Sequence, residues 1–217
     1  MKLLDSISNL LFPPKCILCS KLLQENETDL CHACRIETPE WKHQPFSISF
    51  VANWFALWYY EDNVRDSLLR YKFSNRRNYA AAYGRILAMQ LLPMLDEFDI
   101  LTWIPISTRR RHRRGYDQVS LLAHAVGKEL GIAAVPTLKK VRHNPPQSGI
   151  SGYAQRKANV LGVYQILPSA DICQKRILLL DDIITTGATS SECARTLLTA
   201  GASKVICAAL AAAKHQP

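Results

Sequence analysis

The 217-residue chain has no uninterrupted apolar run long enough to cross a bilayer, so a membrane-spanning protein is not expected. Met1 to Ile7 are broken by Asp5 and are followed by no small-residue cleavage site, so they do not read as a secretory signal. No Gly-x4-Gly-Lys-Ser/Thr occurs, because Gly127-Lys128 is followed by Glu129; this argues against a P-loop nucleotidase. Gly-x-Gly-x-x-Gly is missing too, which removes a dinucleotide-binding Rossmann site. There is no internal repeat and no low-complexity tract. The seven cysteines are an odd number, a poor basis for a disulfide framework, and suit a reducing, cytoplasmic setting.

What is present is an ordinary globular composition, 48% hydrophobic, with a formal charge of +9 that is unevenly placed. Residues 1–50 hold five Lys/Arg and six Asp/Glu, net −1, whereas residues 105–160 hold eleven Lys/Arg against Asp117 and Glu129, net +9. A concentrated basic excess points to polyanionic partners.

Four cysteines form two hooks, Cys16-x2-Cys19 and Cys31-x2-Cys34, separated by eleven residues. Two such hooks close a tetrahedral thiolate site for zinc, and four thiolates leave no open position, so the metal is expected to be structural. His32 is read as a bystander. Cys193 and Cys207 lie in apolar-periodic segments and are expected to be buried. The chain is therefore divided into a four-cysteine zinc-binding module over 1–48 and a larger unit over 49–217. Leu3, Leu4, Ile7, Leu10 and Leu11 suggest a short amphipathic helix stopped by Pro13-Pro14.

Beyond Phe50, strand and helix signals alternate. Val51 to Tyr60 reads as a strand or hairpin arm, Asn63 as a helix cap, Tyr79 to Leu95 as a helix, and Ile100 to Ile106 as a strand. Tyr116 to Leu130 reads as a helix ended by Gly131. Val141 to Asn159, with Pro145-Pro146, Gly149 and Gly152, reads as a long loop. Leu161 to Leu167 is a short strand, Ile177 to Leu180 a central strand, Ser190 to Leu198 a helix, and Val205 to Ala211 a buried strand. Alternation of this kind predicts an α/β fold with an open, mainly parallel sheet.

The segment Ile177-Leu178-Leu179-Leu180-Asp181-Asp182-Ile183-Ile184-Thr185-Thr186-Gly187-Ala188-Thr189 carries the most chemistry. An apolar strand ends in two carboxylates, and a hydroxyl-rich turn leads into a helix. Thr185, Thr186, Gly187, Ala188 and Thr189 can wrap a phosphate with amides and hydroxyls at a helix N-terminus. Asp181 and Asp182 can accept hydrogen bonds from vicinal ribose hydroxyls. A second block, Trp103 to Gln118, holds five arginines and one histidine after a strand; arginine forks suit phosphate oxygens, and a solvated charged face or nucleic-acid patch reads equally well.

The 177–189 run resembles the type I phosphoribosyltransferase pattern along its whole length. The cysteine hooks behind Phe12-Pro13-Pro14, Tyr71-Lys72-Phe73, Arg113-Arg114-Gly115-Tyr116-Asp117-Gln118 and the Gln147…Arg156…Asn159 loop extend the likeness over nearly the whole chain. The sequence resembles the ComF/GntX family, phosphoribosyltransferase-like proteins associated with competence and use of external DNA. That family usually reads Gly-Phe-Asn-Gln where this chain has Gly115-Tyr116-Asp117-Gln118.

The resemblance implies a type I phosphoribosyltransferase-like sheet with flanking helices and a small N-terminal zinc-ribbon-like module. It implies that Asp181 and Asp182 hold the ribose of phosphoribosyl pyrophosphate (PRPP), and that Thr185 to Thr189 hold its 5′-phosphate. Ser107 and Arg109, with Arg110, Arg113 and Arg114, would face the pyrophosphate together with Mg²⁺. Arg142, Gln147 and Arg156 would belong to a closing lid. The partners implied are PRPP or a related nucleotide, single-stranded DNA and the DNA-uptake machinery. The competing expectation is an active phosphoribosyltransferase in nucleotide metabolism, acting on an unknown acceptor.

Overall fold

The computed structural model describes residues 13–42, 46–142 and 159–214. The helix expected over the first eleven residues therefore lies outside the described residues, as do Gln147 and Arg156.

Ile177 to Leu180 are four consecutive apolar residues, and all are fully buried. Such a run marks a strand covered on both faces, the signature of a central parallel strand. At about 1.5–3 kcal/mol per buried aliphatic side chain it anchors the sheet. The strand, β5, runs Arg176–Ile184. Its neighbours are β6 (Lys204–Ala212) and β2 (Ile100–Trp103), while β1 (Asn53–Tyr59) lies beyond β6. The order is β1-β6-β5-β2, with every pairing parallel. β1 is thus a sheet strand and not a hairpin arm. A separate antiparallel hairpin joins β3 (Leu138–Lys140) to β4 (Tyr164–Ile166).

Two apolar layers sandwich the sheet. On one face Leu178, Leu180 and Ile206 pack with helices α2 (Asp62–Phe73), α3 (Tyr79–Leu91) and α5 (Gln118–Leu130). Gly84 lets α3 and α5 touch, because a Cβ there would meet Ala125 Cβ at 2.6 Å. On the other face Leu179, Cys207, Cys193 and Leu197 pack with helix α6 (Ala188–Thr199) and with Leu138 and Tyr164 of the hairpin. Cys193 and Cys207 are buried, as expected.

Element bounds differ from the sequence reading at points with local causes. α2 starts at Asp62, behind Glu61, which makes no side-chain cap; Asn63 falls inside the first turn. α3 stops at Leu91 and continues as a 3-10 turn over Leu92–Glu97, where Pro93 lacks the N–H an α-helix needs. β5 runs past both acids because β6 continues to pair with it as far as Ala212. Residues Thr108–Arg114 form a short helix, α4, capped by the Ser107 hydroxyl accepting from Arg110 N at 3.3 Å and ended by left-handed Gly115.

The cysteine module, with helix α1 (His32–Glu37), docks on α2 and α3. Arg70 donates to the carbonyls of Leu18 (2.5 Å) and Ile17 (3.1 Å), and the Ser67 hydroxyl donates to the Ile17 carbonyl. Arg85 grips Asp29 through two bonds of 2.9 and 2.5 Å.

Candidate functional site

β5 pairs with β2 only as far as Leu180, where Ile104 N donates to the Leu180 carbonyl at 2.9 Å. Beyond that point the two chains part. β5 continues through α6 toward β6 on one side, and β2 continues through α5 on the other. The parting is the topological switch point at which open α/β sheets bind ligands. Asp181 and Asp182 stand there.

The turn after them is built for close approach. Gly187 caps α6 in the left-handed region (φ 71°), and a Cβ there would lie 2.6 Å from Ile48. The first amides of α6 have no intrahelical carbonyl to bond, and Thr185, Thr186 and Thr189 are partly exposed around them. Amides, hydroxyls and the positive helix end favour an anion at this place.

Asp182 is buried. Lys72 Nζ lies 3.0 Å from its Oδ1, and Gln118 Nε2 donates to its Oδ2 at 2.7 Å. Asp181 is pushed up to about 8, first by burial and then by the neighbouring Asp182 charge; Lys72 and Lys140 pull the other way. An acid held this way can donate as well as accept.

Across the parting, α4 sorts the basic run into two faces. Arg110 and Arg114, one turn apart, are half-buried; burial lowers both, and the Asp182 charge opposes that shift. Arg109 and Arg113 point to solvent. Lys140, from the hairpin, is brought down to about 8 by burial and then by Arg110. The structure therefore gathers Ser107, Arg110 and Arg114 on the inner side and leaves Arg109 and Arg113 outside. Arg142 is exposed and donates to the Leu161 carbonyl at 2.9 Å.

Two buried polar atoms lack partners among the described residues at this place, Gln118 Oε1 and Arg114 Nε. Gln118 is 3% exposed and already bonds Asp182, so its free acceptor oxygen sits beside the acid pair. Asp117 ties the two loops together: Oδ1 accepts from Val119 N and Ser120 N, capping α5, while Oδ2 accepts from Ile106 N at 3.2 Å. Burial raises Asp117, against the pull of those amides. The Tyr116 hydroxyl donates to the Tyr71 carbonyl, and the Tyr71 hydroxyl to the Gln118 carbonyl at 2.6 Å. The Tyr-Asp pair in place of Phe-Asn thus supplies a cap and a tie.

The four hook cysteines converge, with their sulfurs all within 4.8 Å of one another and Cys19 Sγ 3.6 Å from Cys31 Sγ. Zn–S bonds of about 2.3 Å in a tetrahedron place sulfurs about 3.8 Å apart, so the set fits a closed zinc site. His32 is exposed and stands outside the cluster.

Comparison with known proteins matches two segments of the chain. A double zinc ribbon domain model covers residues 7–46, and a phosphoribosyl transferase domain model covers 120–217. The DNA utilization protein YhgH of Salmonella typhimurium is 33% identical over 141 residues, covering 62% of this chain and 60% of that protein. Competence protein F of Haemophilus influenzae is 25% identical over 88% of this chain and 82% of that one. Competence protein ComFC of Streptococcus pneumoniae is 27% identical over 86% and 77%. These relatives and the two domain matches support the ComF family for this chain. The chain spans about 60% of the length of the Salmonella relative. A solved allosteric regulatory enzyme of purine biosynthesis is 21% identical over 65% of this chain and 30% of that one, with a TM-score of 0.44.

The chain thus carries a parallel-sheet phosphoribosyltransferase-like fold with a zinc ribbon in front of it, and a four-cysteine cluster suited to structural zinc. Among the described residues no helix is long and apolar enough to cross a membrane. Three groups at the acid pair were not singled out from sequence as site residues: Lys72, Gln118 and Lys140. Lys72 and Gln118 sit in the quoted Tyr71–Phe73 and Gly115–Gln118 blocks, which were usable signals, the first read equally as packing or as a hood over the site; Lys140 has none, because its burial comes from a hairpin that pairs distant residues.

Proposed function

We propose that this ComF protein binds PRPP, or a related phosphoribosyl nucleotide, and works in DNA uptake or utilization in the cytoplasm. One observation carries the reading. Asp181 and Asp182 stand at the switch point, followed at once by a threonine-lined turn into α6 and faced by Arg110 and Arg114. The acids would take the ribose hydroxyls, the Thr185–Thr189 turn the 5′-phosphate, and the inner arginines with Lys140 the pyrophosphate. The hard oxygen donors of the acid pair, and the free acceptor on Gln118, also suit Mg²⁺ accompanying the diphosphate. Mg²⁺ would neutralise the departing diphosphate charge if transfer occurs. Lys72 must release Asp182, or share it, when the ligand enters. Residues 1–48 would act as the zinc unit and 49–217 as the ligand unit.

Calorimetry with PRPP and Mg²⁺ tests the site. Asp181→Asn with Asp182→Asn should abolish binding while the circular dichroism spectrum stays unchanged; undiminished affinity removes the assignment. Pyrophosphate release in the presence of a panel of bases and amines would identify the protein as a transferase. Tight PRPP binding without release would identify it as a binder.

A further inference from the structure

A cavity of about 790 Å³ opens behind the loop that follows β2, between α4, the start of α5 and the β3 strand. No residue of 181–189 lines it, so the acid pair lies outside it, and Lys140 stands on the wall between the two. Its size falls in the range of small-molecule sites. Its lining has two characters. Trp103, Leu121 and Leu138 give an apolar wall, with Trp103 half-buried and its ring 5.2 Å from His124. Arg111, His112 and Lys139 give a solvent-exposed rim of donors. The one carboxylate among the described lining residues, Asp117, has both oxygens occupied by backbone amides. An apolar wall holding an indole, under a cationic rim, suits a ligand with a flat heterocycle at one end and a phosphate at the other.

We propose that this cavity is a second ligand site that takes a free nucleoside monophosphate, its base against Trp103 and Leu121 and its phosphate on Arg111 and Lys139. The site shares Ile106, Thr108 and Asp117 with the loop facing the acid pair, and Lys140 with the acid pair itself. Because Asp117 bonds both Ile106 N and the first amides of α5, a ligand pressing on this loop changes affinity at the acid pair, and linkage makes the effect reciprocal.

The test titrates AMP, GMP, CMP and UMP separately into the zinc-loaded full chain by calorimetry. At least one should bind with 1:1 stoichiometry. Arg111→Ala with Lys139→Ala, two exposed positions, should weaken it tenfold or more without moving the thermal midpoint. Asp182→Asn should leave it within twofold. Absence of binding by all four at millimolar concentration overturns the proposal, as does affinity unaffected by the double variant. Binding lost in Asp182→Asn places the nucleotide at the acid pair and also overturns it. Capture of oligo(dT), weakened by the double variant and with no monophosphate bound, assigns the cavity to a strand and overturns it as well. A monophosphate bound by a chain that ignores PRPP supports this site while sinking the phosphoribosyl assignment, so the two failures are distinguishable.

Discussion

Asp181 holds its proton against its own chemistry. Burial and the Asp182 charge push it up to about 8 from an unfolded value near 4. Between those values the folded chain binds more protons than the unfolded one, so this group lowers stability as pH rises from about 4 to 8. Asp181→Asn should remove that share and flatten the pH dependence of urea denaturation between pH 5 and 8; an unchanged slope would show that Asp181 is already ionised in the fold. The pair itself was legible in sequence, because two adjacent acids closing an apolar strand form a local pattern. The contacts that tune it were not. Gln118 bonds Asp182 across 64 residues and Lys72 reaches it from another helix, and no local periodicity encodes such meetings.

Elements were more legible than their bounds. Runs such as Ile177–Leu180 name a strand wherever they occur, and Gly131 marked the end of α5. The arginine run was harder, since seven polar residues show no apolar face. Only the Ser107 cap and the left-handed Gly115 disclose a helix there, and that helix turns one block of charge into two faces. Under the proposed role in DNA use, Arg109 and Arg113, exposed on the outer side, would be among the residues that meet a single strand. Replacing both by Ala should reduce the magnitude of the salt slope by about 1.4, at about 0.7 per phosphate contact, in fluorescence anisotropy at graded salt. Equal slopes would take DNA off this face. The turn after β5 makes a different demand. Gly187→Ala must accept a left-handed φ and a contact with Ile48, at a cost of about 2–4 kcal/mol. Thermal denaturation should show it, and adding Ile48→Ala should cost less than the sum of the two single variants, because the pair shares one clash.

At the scale of the whole molecule, the fold class followed from alternating strands and helices, and the zinc ribbon from its hooks. The docking of one on the other did not, because it is made of carbonyls and side chains far apart in sequence. Structural zinc contributes about 10–16 kcal/mol to small modules of this kind. Chelation, or Cys16→Ser, should therefore unfold residues 13–42 and lower the thermal midpoint of the remainder, which loses the Arg85–Asp29 and Arg70–Leu18 bonds. A midpoint insensitive to chelator would mean that the larger unit stands without its neighbour.

Helix α2 is the common beam. Ser67 and Arg70 hold the first cysteine hook, and two residues further on Lys72 grips Asp182. An oxidant that ejected the metal would thus be felt within a single helical turn at the acid pair. The thiol cluster in one corner of the protein and the carboxylate pair in another are joined by a rod short enough to behave as a rigid lever.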